Sequence, residues 1–199
     1  ETGVNDIVVA PNSKSQLDVT VKNDDNFTPG GHYGAVLFER ADLPGDPEKD
    51  TTEVAINQVF SALVYVRKVG GEIFSLSLID REYRQSLWRL PDTITLRFEN
   101  TGNVHAVPRG TVRISDPLGR MVSRATINET SGLVLPQSKR VFTERFQSLA
   151  FAWLPGHYSV RVDYRYDGKD DFEVVGEKYW YFPPVFFVML LGVGTVLFL

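Results

Sequence analysis

Cysteine is absent from the 199-residue sequence, and this excludes several kinds of site at once. Disulfides, zinc sites built on thiolates and cysteine nucleophiles cannot form, so stability has to come from packing alone. An excess of positive charge is also lacking, because the formal net charge is −4. Without a sequence-wide basic field, nucleic acid is not a predicted partner.

The sequence also lacks the compact motifs of common enzymes. It contains no Gly-x-Ser-x-Gly elbow, no phosphate-binding loop and no dinucleotide fingerprint. Paired carboxylates can cut glycosidic bonds, but only their geometry could identify such a pair. We therefore expect a protein that is not an enzyme, with no catalytic residues and no cofactor.

A helical apolar stripe is missing before the C-terminal segment. Alternating or β-branched runs are present instead, separated by Pro-Gly, Gly-Gly and Asp-Gly turn signals. The predicted strands are 15–21, 33–39, 61–69, 73–79, 93–99, 110–115, 120–127, 157–166 and 172–182. This spacing predicts an all-β protein made of sandwiches.

The charged stretch "DREYRQSLWRLPD" at 80–92 divides these strands into two groups. It ends in Leu-Pro before the next strand, as a linker between two units would. We predict a first sandwich at 1–80, a linker at 81–90, a second sandwich at 91–182 and a C-terminal helix at 183–199.

An internal repeat relates the two predicted units. "APNSKSQL" at 10–17 aligns with "LPQSKRVF" at 135–142, and the same offset of 125 aligns "GHYGAVLF" at 31–38 with "GHYSVRVD" at 156–163. Each unit should contain a strand after a Pro-x-Ser-Lys turn and a later strand that starts at His-Tyr. Only ten residues precede Pro11, so we expect the first sandwich to lack its opening strands. An upstream region or another segment would supply them, since unpaired edges promote aggregation.

The last fifteen residues, "VFFVMLLGVGTVLFL" at 185–199, carry no charge. As a helix they would be roughly 22 Å long, short of the roughly 30 Å hydrocarbon core of a bilayer. The aromatic run "YWYF" at 179–182 lies where an interfacial belt belongs. We expect a transmembrane helix that is truncated here, and a single-pass cell-membrane protein with its β domains outside the cytoplasm.

Two stretches of the first unit, "SQLDVTVKNDDNFTPGGHYGAVLFE" at 15–39 and "INQVFSALVYVRKVGGE" at 56–72, carry a family resemblance. They resemble the pilus-chaperone-like sandwich of Gram-positive surface proteins that interact with WxL proteins and bind peptidoglycan. "FENTGNVHAVPRG" at 98–110 and "LPGHYSVRVDY" at 154–164 resemble a membrane-proximal Ig-like domain. The resemblance implies tandem Ig-like sandwiches followed by one transmembrane helix.

Three histidines and one acidic tract are the candidates for metal chemistry. His32 and His157 occupy equivalent repeat positions, which favours a structural role, and His105 has no second ligand at zinc spacing. Asp167, Asp170 and Asp171 could form an oxygen-rich calcium loop, but the full alternating ligand pattern is missing. An Asp-Gly hairpin explains the same residues, so we predict no metal site and keep calcium as the alternative.

Aromatic side chains offer a further candidate surface. They could stack on sugars or anchor a partner, or they could fill the two cores. The set is Tyr83, Trp88, Tyr164, Tyr166 and Tyr179.

The segment "ENTGNVHAVPRG" at 99–110 is rich in polar residues and could be mistaken for an active site. Asn100, Gly102 and Asn103 tolerate φ > 0, and Pro108 and Gly110 suit a kink at a sheet edge. We therefore interpret the segment as a passage between strands.

Together these features predict a membrane-anchored bacterial cell-surface protein. It would bind a cell-wall polymer or a partner protein non-covalently, in adhesion or scaffolding, with strand addition as one mechanism. The alternative is a pilus-chaperone-like assembly factor or an accessory subunit of an envelope complex.

Overall fold

β-strands make up most of the secondary structure, so the prediction of an all-β protein is confirmed. The computed structural model describes residues 7–10, 12–39 and 59–198. Within this part of the chain the elements are β1 (Gly30–Glu39), β2 (Val59–Lys68), β3 (Leu76–Glu82), β4 (Thr93–Asn100), β5 (Arg109–Ser115), β6 (Met121–Ile127), β7 (Ser138–Arg145), β8 (Gln147–Ser148), β9 (Gly156–Arg165), β10 (Glu173–Tyr181) and α1 (Pro184–Phe198).

Two antiparallel sheets between residues 76 and 181 share one core, in the manner of a β-sandwich. One sheet has the order β10-β9-β5-β6-β8 and the other the order β3-β4-β7. Alternate residues of each strand face the core, as the two-residue period of a strand requires. Phe98 of β4 and Tyr164 of β9 are both buried, and their ring centroids lie 5.0 Å apart across the two sheets.

Strand β3 lies in this sandwich rather than in the first unit, where the sequence prediction placed it. It pairs with β4 from Leu76 opposite Asn100 to Glu82 opposite Thr95. The predicted linker at 81–90 therefore does not coincide with the sheet boundary, which precedes β3. The charged residues are misleading because Arg81 is used within the sandwich: its Nη2 donates to Oε2 of Glu177 at 2.9 Å.

The first unit contains a long antiparallel hairpin, in which β1 pairs with β2 from Gly30 opposite Lys68 to Glu39 opposite Val59. The predicted strand at 15–21 does not form. Its apolar side chains Val19 and Val21 are exposed, and the segment belongs to no sheet of the described chain, so alternation alone does not make a strand. The predicted turn at 43–46 and Pro11 of the repeat lie outside the described residues.

The two Pro-x-Ser-Lys turns of the repeat share one local structure. Asn12 and Gln137 both have positive φ, at 58° and 53°. The Ser13 hydroxyl donates to the Ala10 carbonyl at 2.6 Å, and the Ser138 hydroxyl donates to the Leu135 carbonyl at 2.7 Å. In the second unit the turn leads into β7, as the repeat predicts.

The predicted C-terminal helix is present as α1 and begins at Pro184, where a proline suits the first turn because its missing N–H would have no helical partner. It has 15 residues. Among the described residues, we find no helix that combines the length and the apolarity needed to cross a membrane.

Candidate functional site

The β1–β2 hairpin exposes side chains whose counterparts in the repeat are buried. Tyr158 and Val162 of β9 are 0% exposed. The residues 125 positions earlier, Tyr33 and Leu37 of β1, are 37% and 67% exposed. The hairpin therefore presents to solvent the face that β9 uses as core.

The strand β2 contributes to the same face, because residues directly opposite in an antiparallel pair point to the same side. Tyr65 lies opposite Tyr33, and Leu63 lies opposite Ala35. We call Tyr33, Ala35, Leu37, Leu63 and Tyr65 the open face. It is an apolar surface on a sheet of two strands, which is marginal by itself in water.

The edge of β1 that faces away from β2 has no partner strand among the described residues. In the second unit β9 pairs on one side with β10 and on the other with β5, which occupies Ser159 to Arg165. By the repeat, the matching stretch of β1 starts at Gly34. Within the described chain β2 is the only strand that pairs with β1. The stretch Gly34 to Phe38 therefore has a backbone position available for another strand.

The opposite face of the hairpin is partly covered. The segment before β1 lies across it and leaves a groove of about 660 Å³. Phe27 contacts the ring of His32 edge-on at 4.6 Å, and the Lys68 ammonium donates to the Asp24 carbonyl at 3.0 Å. On the open face, the rings of Tyr33 and Tyr65 lie 6.0 Å and 6.2 Å from that of His105, whereas Ala35, Leu37 and Leu63 are exposed.

Asn103 holds the base of the hairpin to the second unit. Its Oδ1 accepts from the Ile73 N–H at 2.7 Å, and its Nδ2 donates to the carbonyls of Gly71 at 2.9 Å and Pro29 at 3.3 Å. Its own carbonyl accepts from the Gly31 N–H at 2.8 Å. One residue in the segment 99–110 therefore links four points of the chain, three through its side chain and one through its backbone carbonyl. Sequence composition does not distinguish this role from that of an active site.

The same segment is a structural passage, but for a different reason from the predicted one. Asn100, Gly102 and Asn103 are not among the residues with positive φ. Gly102 is required by close approach, because a Cβ there would lie 2.1 Å from the Ile73 carbonyl oxygen. Gly110 is similar, with the Asp163 carbonyl oxygen 2.0 Å from the Cβ position.

The three histidines lie in separate places. His32 shares a hydrogen bond of 2.8 Å with the Thr28 carbonyl, and His157 packs on Trp180 with ring centroids 3.9 Å apart. His105 Nδ1 lies 3.2 Å from the Tyr33 hydroxyl, so it borders the open face. None of them meets another metal-ligating side chain in a cluster of three within the described part of the chain.

The acidic tract forms the β9–β10 turn. Gly168 has φ 87° and the Lys169 N–H donates to the Tyr166 carbonyl at 3.1 Å. Asp167, Asp170 and Asp171 do not converge into a set of three ligands. The nearby ion pair joins Lys169 to Glu173, which also accepts from the Tyr164 hydroxyl.

The five candidate aromatics divide between core and surface. Tyr164 and Tyr179 are buried, Tyr83 and Tyr166 pack partly against the core, and Trp88 is 55% exposed. Burial raises the pKa of the Tyr164 and Tyr179 hydroxyls, so both stay protonated. Most of this set therefore fills the core. The open-face residues were missed, although the repeat offset would have found Leu37 as the counterpart of a core position.

A polar cluster links β3 to β10 at the rim of the core. Glu177 accepts from Arg81 at 2.9 Å and from the Tyr83 hydroxyl. Burial alone would raise the pKa of Glu177, but these two donors outweigh it and hold the pKa below its usual value.

The variant Glu177→Gln should test this cluster through pH. A carboxylate with a depressed folded-state pKa stabilises the fold above its unfolded pKa, about 4.3, and loses that contribution as pH falls through the folded value. We expect wild type to be more stable than the variant at pH 7 and the difference to shrink below about pH 4. Urea denaturation at both pH values measures it, with the exposed Glu129→Gln as the control for lost charge. A difference that stays constant with pH would contradict this role.

No protein-family model matches the chain, and no curated protein matches its sequence. The resemblance to WxL-interacting surface proteins therefore rests on the quoted motifs.

Proposed function

We propose that the chain is a membrane-anchored bacterial surface protein with two Ig-like units, whose first unit binds a partner protein by strand addition. The observation that carries the proposal is the open face together with the available edge of β1. Strand addition uses both: main-chain hydrogen bonds give affinity and alternate side chains give specificity.

The repeat indicates how the partner strand would run. In the second unit β5 lies antiparallel to β9 and contributes Val112 and Ile114, which are fully buried, to the core. An added strand would run antiparallel to β1 along Gly34 to Phe38. Its alternate side chains would lie on the open face beside Leu37, which is 67% exposed.

Attachment at the membrane is the second part of the proposal. Residues 184–198 of α1 contain no charged side chain, and the exposed residues Val188, Leu190 and Leu191 are apolar. Inserting this helix in a bilayer removes their apolar surface from water. The partner would then be met at the outer face of the membrane.

The variant Leu37→Asp should lose partner binding. Leu37 is exposed in the free chain, so the variant should fold, but the added strand would bury an unpaired carboxylate. We expect affinity for a bacterial envelope protein extract to fall at least about tenfold, which corresponds to about 1.4 kcal/mol. In a second experiment, binding of the chain to protein-free cell wall is measured by sedimentation or by surface binding.

Val174→Asp is the matched control, because Val174 is an exposed apolar residue on β10, outside the open face. It should bind like wild type. Equal binding by both folded variants would refute strand addition at β1. If wild type bound the protein-free cell wall and Leu37→Asp did not, the ligand of this site would be a cell-wall polymer and not a protein.

A further inference from the structure

One end of the second unit collects apolar loops around the start of α1. At this end β10 finishes, β9 begins and β5 turns into β6. The β3–β4 loop reaches the same place, because the Phe182 N–H donates to the Leu87 carbonyl at 2.6 Å. We call the loops 83–92, 116–120 and 149–155, with the end of β10, the α1-end surface.

Exposed large apolar side chains are concentrated on this surface. Leu118 at the tip of the β5–β6 loop is 81% exposed, and Phe151 in the β8–β9 loop is 63% exposed. All three tryptophans of the chain are here, each between 40% and 55% exposed: Trp88, Trp153 and Trp180. Tryptophan is the residue most typical of the boundary between lipid headgroups and acyl chains.

Hydrogen bonds hold these loops in place, so the exposure of their apolar side chains does not come from poorly ordered loops. The buried Asp116 carboxylate accepts from the backbone N–H groups of Leu118 and Arg120. The Arg120 guanidinium in turn donates to the Phe151 carbonyl at 3.0 Å. The Tyr158 hydroxyl donates to the Leu154 carbonyl at 2.9 Å, and burial raises its pKa to about 12.

The charge on this surface also favours a bilayer. Its loops carry three arginines, Arg84, Arg89 and Arg120, against the two aspartates Asp92 and Asp116, although the whole chain has a net charge of −4. Asp116 is buried and paired with Arg120. Asp92 pairs with Arg89 at 3.4 Å, so the surplus positive charge of these loops is that of Arg84, which is exposed and can meet anionic headgroups.

The surface continues without a break into α1. Trp180 stacks on Phe182 with centroids 5.5 Å apart, and Trp88 contacts Phe187 of the helix at 5.9 Å. We propose that the α1-end surface lies on an anionic lipid bilayer, with Leu118, Phe151 and Trp153 inserted at the level of the headgroups. This inference rests on the proposed membrane attachment through α1 and adds a second lipid contact that fixes the orientation of the sandwich.

Quenching of tryptophan by brominated lipids tests the contact in the full chain. Vesicles of phosphatidylglycerol and phosphatidylcholine with brominated acyl chains are the probe, and Trp153 is kept as the sole tryptophan in W88F/W180F. We expect its fluorescence to fall at least about twofold, as for a tryptophan at the interface. The control has no native tryptophan and carries Phe172→Trp, at the other end of β10 and roughly 30 Å away. The fluorescence of this tryptophan should not be quenched.

Flotation of the same samples separates this inference from the anchoring by α1. If the chain floats with the vesicles but Trp153 is not quenched, the α1-end contact is overturned and the anchoring by α1 stands. If the chain did not float, both the α1-end contact and the anchoring by α1 would be overturned.

The variant L118D/F151D tests the loop tips. The chain should still float while Trp153 quenching falls by at least about half, since charge at these tips disfavours insertion. Leu135→Asp, exposed on the β6–β7 loop at the opposite end, should quench like the parent, and equal loss in both variants would also overturn the inference.

Discussion

Gly102→Val should destabilise the second unit by about 3–5 kcal/mol, the combined scale of overpacking and lost backbone hydrogen bonds. A Cβ at this position would lie 2.1 Å from the Ile73 carbonyl oxygen and 3.0 Å from the Ser75 nitrogen, so the backbone must move. The movement would break the bonds from Thr101 N–H to the Ser75 carbonyl and from Asn103 N–H to the Ile73 carbonyl. Urea denaturation followed by tryptophan fluorescence measures it, because all tryptophans lie in this unit.

Gly176→Val is the matched control for Gly102→Val. Gly176 lies on the exposed side of β10, and the nearest atom to its Cβ position is the Val160 carbonyl oxygen at an ordinary 3.6 Å. Valine is favoured in strands, so stability should change by less than about 0.5 kcal/mol. Similar losses from the two variants would mean that the close approach at Gly102 is not what constrains this loop.

Asn100→Ala should cost about 3–5 kcal/mol, because it removes three buried hydrogen bonds to the backbone and leaves only the Val134 carbonyl with another donor, the Ala106 N–H. Asn100 is completely buried. Its Nδ2 donates to the carbonyls of Val104 at 2.7 Å and Val134 at 2.9 Å, and its Oδ1 accepts from the Gly102 N–H at 2.9 Å. Thermal and urea denaturation should both show the loss.

Gln137→Ala tests whether burial decides the effect of Asn100→Ala. The Gln137 amide also donates to this loop, at 2.8 Å to the Thr101 carbonyl and 3.1 Å to the Gly102 carbonyl, but the residue is exposed. Water can replace its bonds, so the cost should be about 1 kcal/mol or less. If Gln137→Ala were as harmful as Asn100→Ala, the buried hydrogen bonds would not be the reason for the large effect.

The strands that the sequence predicts well are those in which alternation coincides with burial. β4, "TITLRFEN", alternates exposed or half-buried residues with Ile94, Leu96 and Phe98, all 0% exposed. The segment 15–21 has the same pattern and forms no strand. Alternation describes which face a strand could bury, and whether a partner strand is present is a property of the whole fold.

The candidate site was harder to predict because no single residue identifies it. It is recognised only when equivalent positions of the two repeat units are compared. Tyr33 and Leu37 are ordinary strand residues until the repeat sets them beside the buried Tyr158 and Val162. Asn103 is one polar residue among many in a loop, and only the structure shows that it joins Ile73 to the hairpin. The charged residues near 81 looked like a linker because the sequence does not reveal that Glu177 faces Arg81.

Amide hydrogen exchange of β1 tests the central claim most directly. In the isolated chain the outward amides between Gly34 and Phe38 should exchange quickly, since within the described chain β2 is the only strand that pairs with β1. In the complex with the envelope partner, the same amides should slow at least about tenfold, because an added strand accepts their hydrogen bonds. A bound partner that leaves these amides as fast as before would contradict strand addition on the open edge of β1.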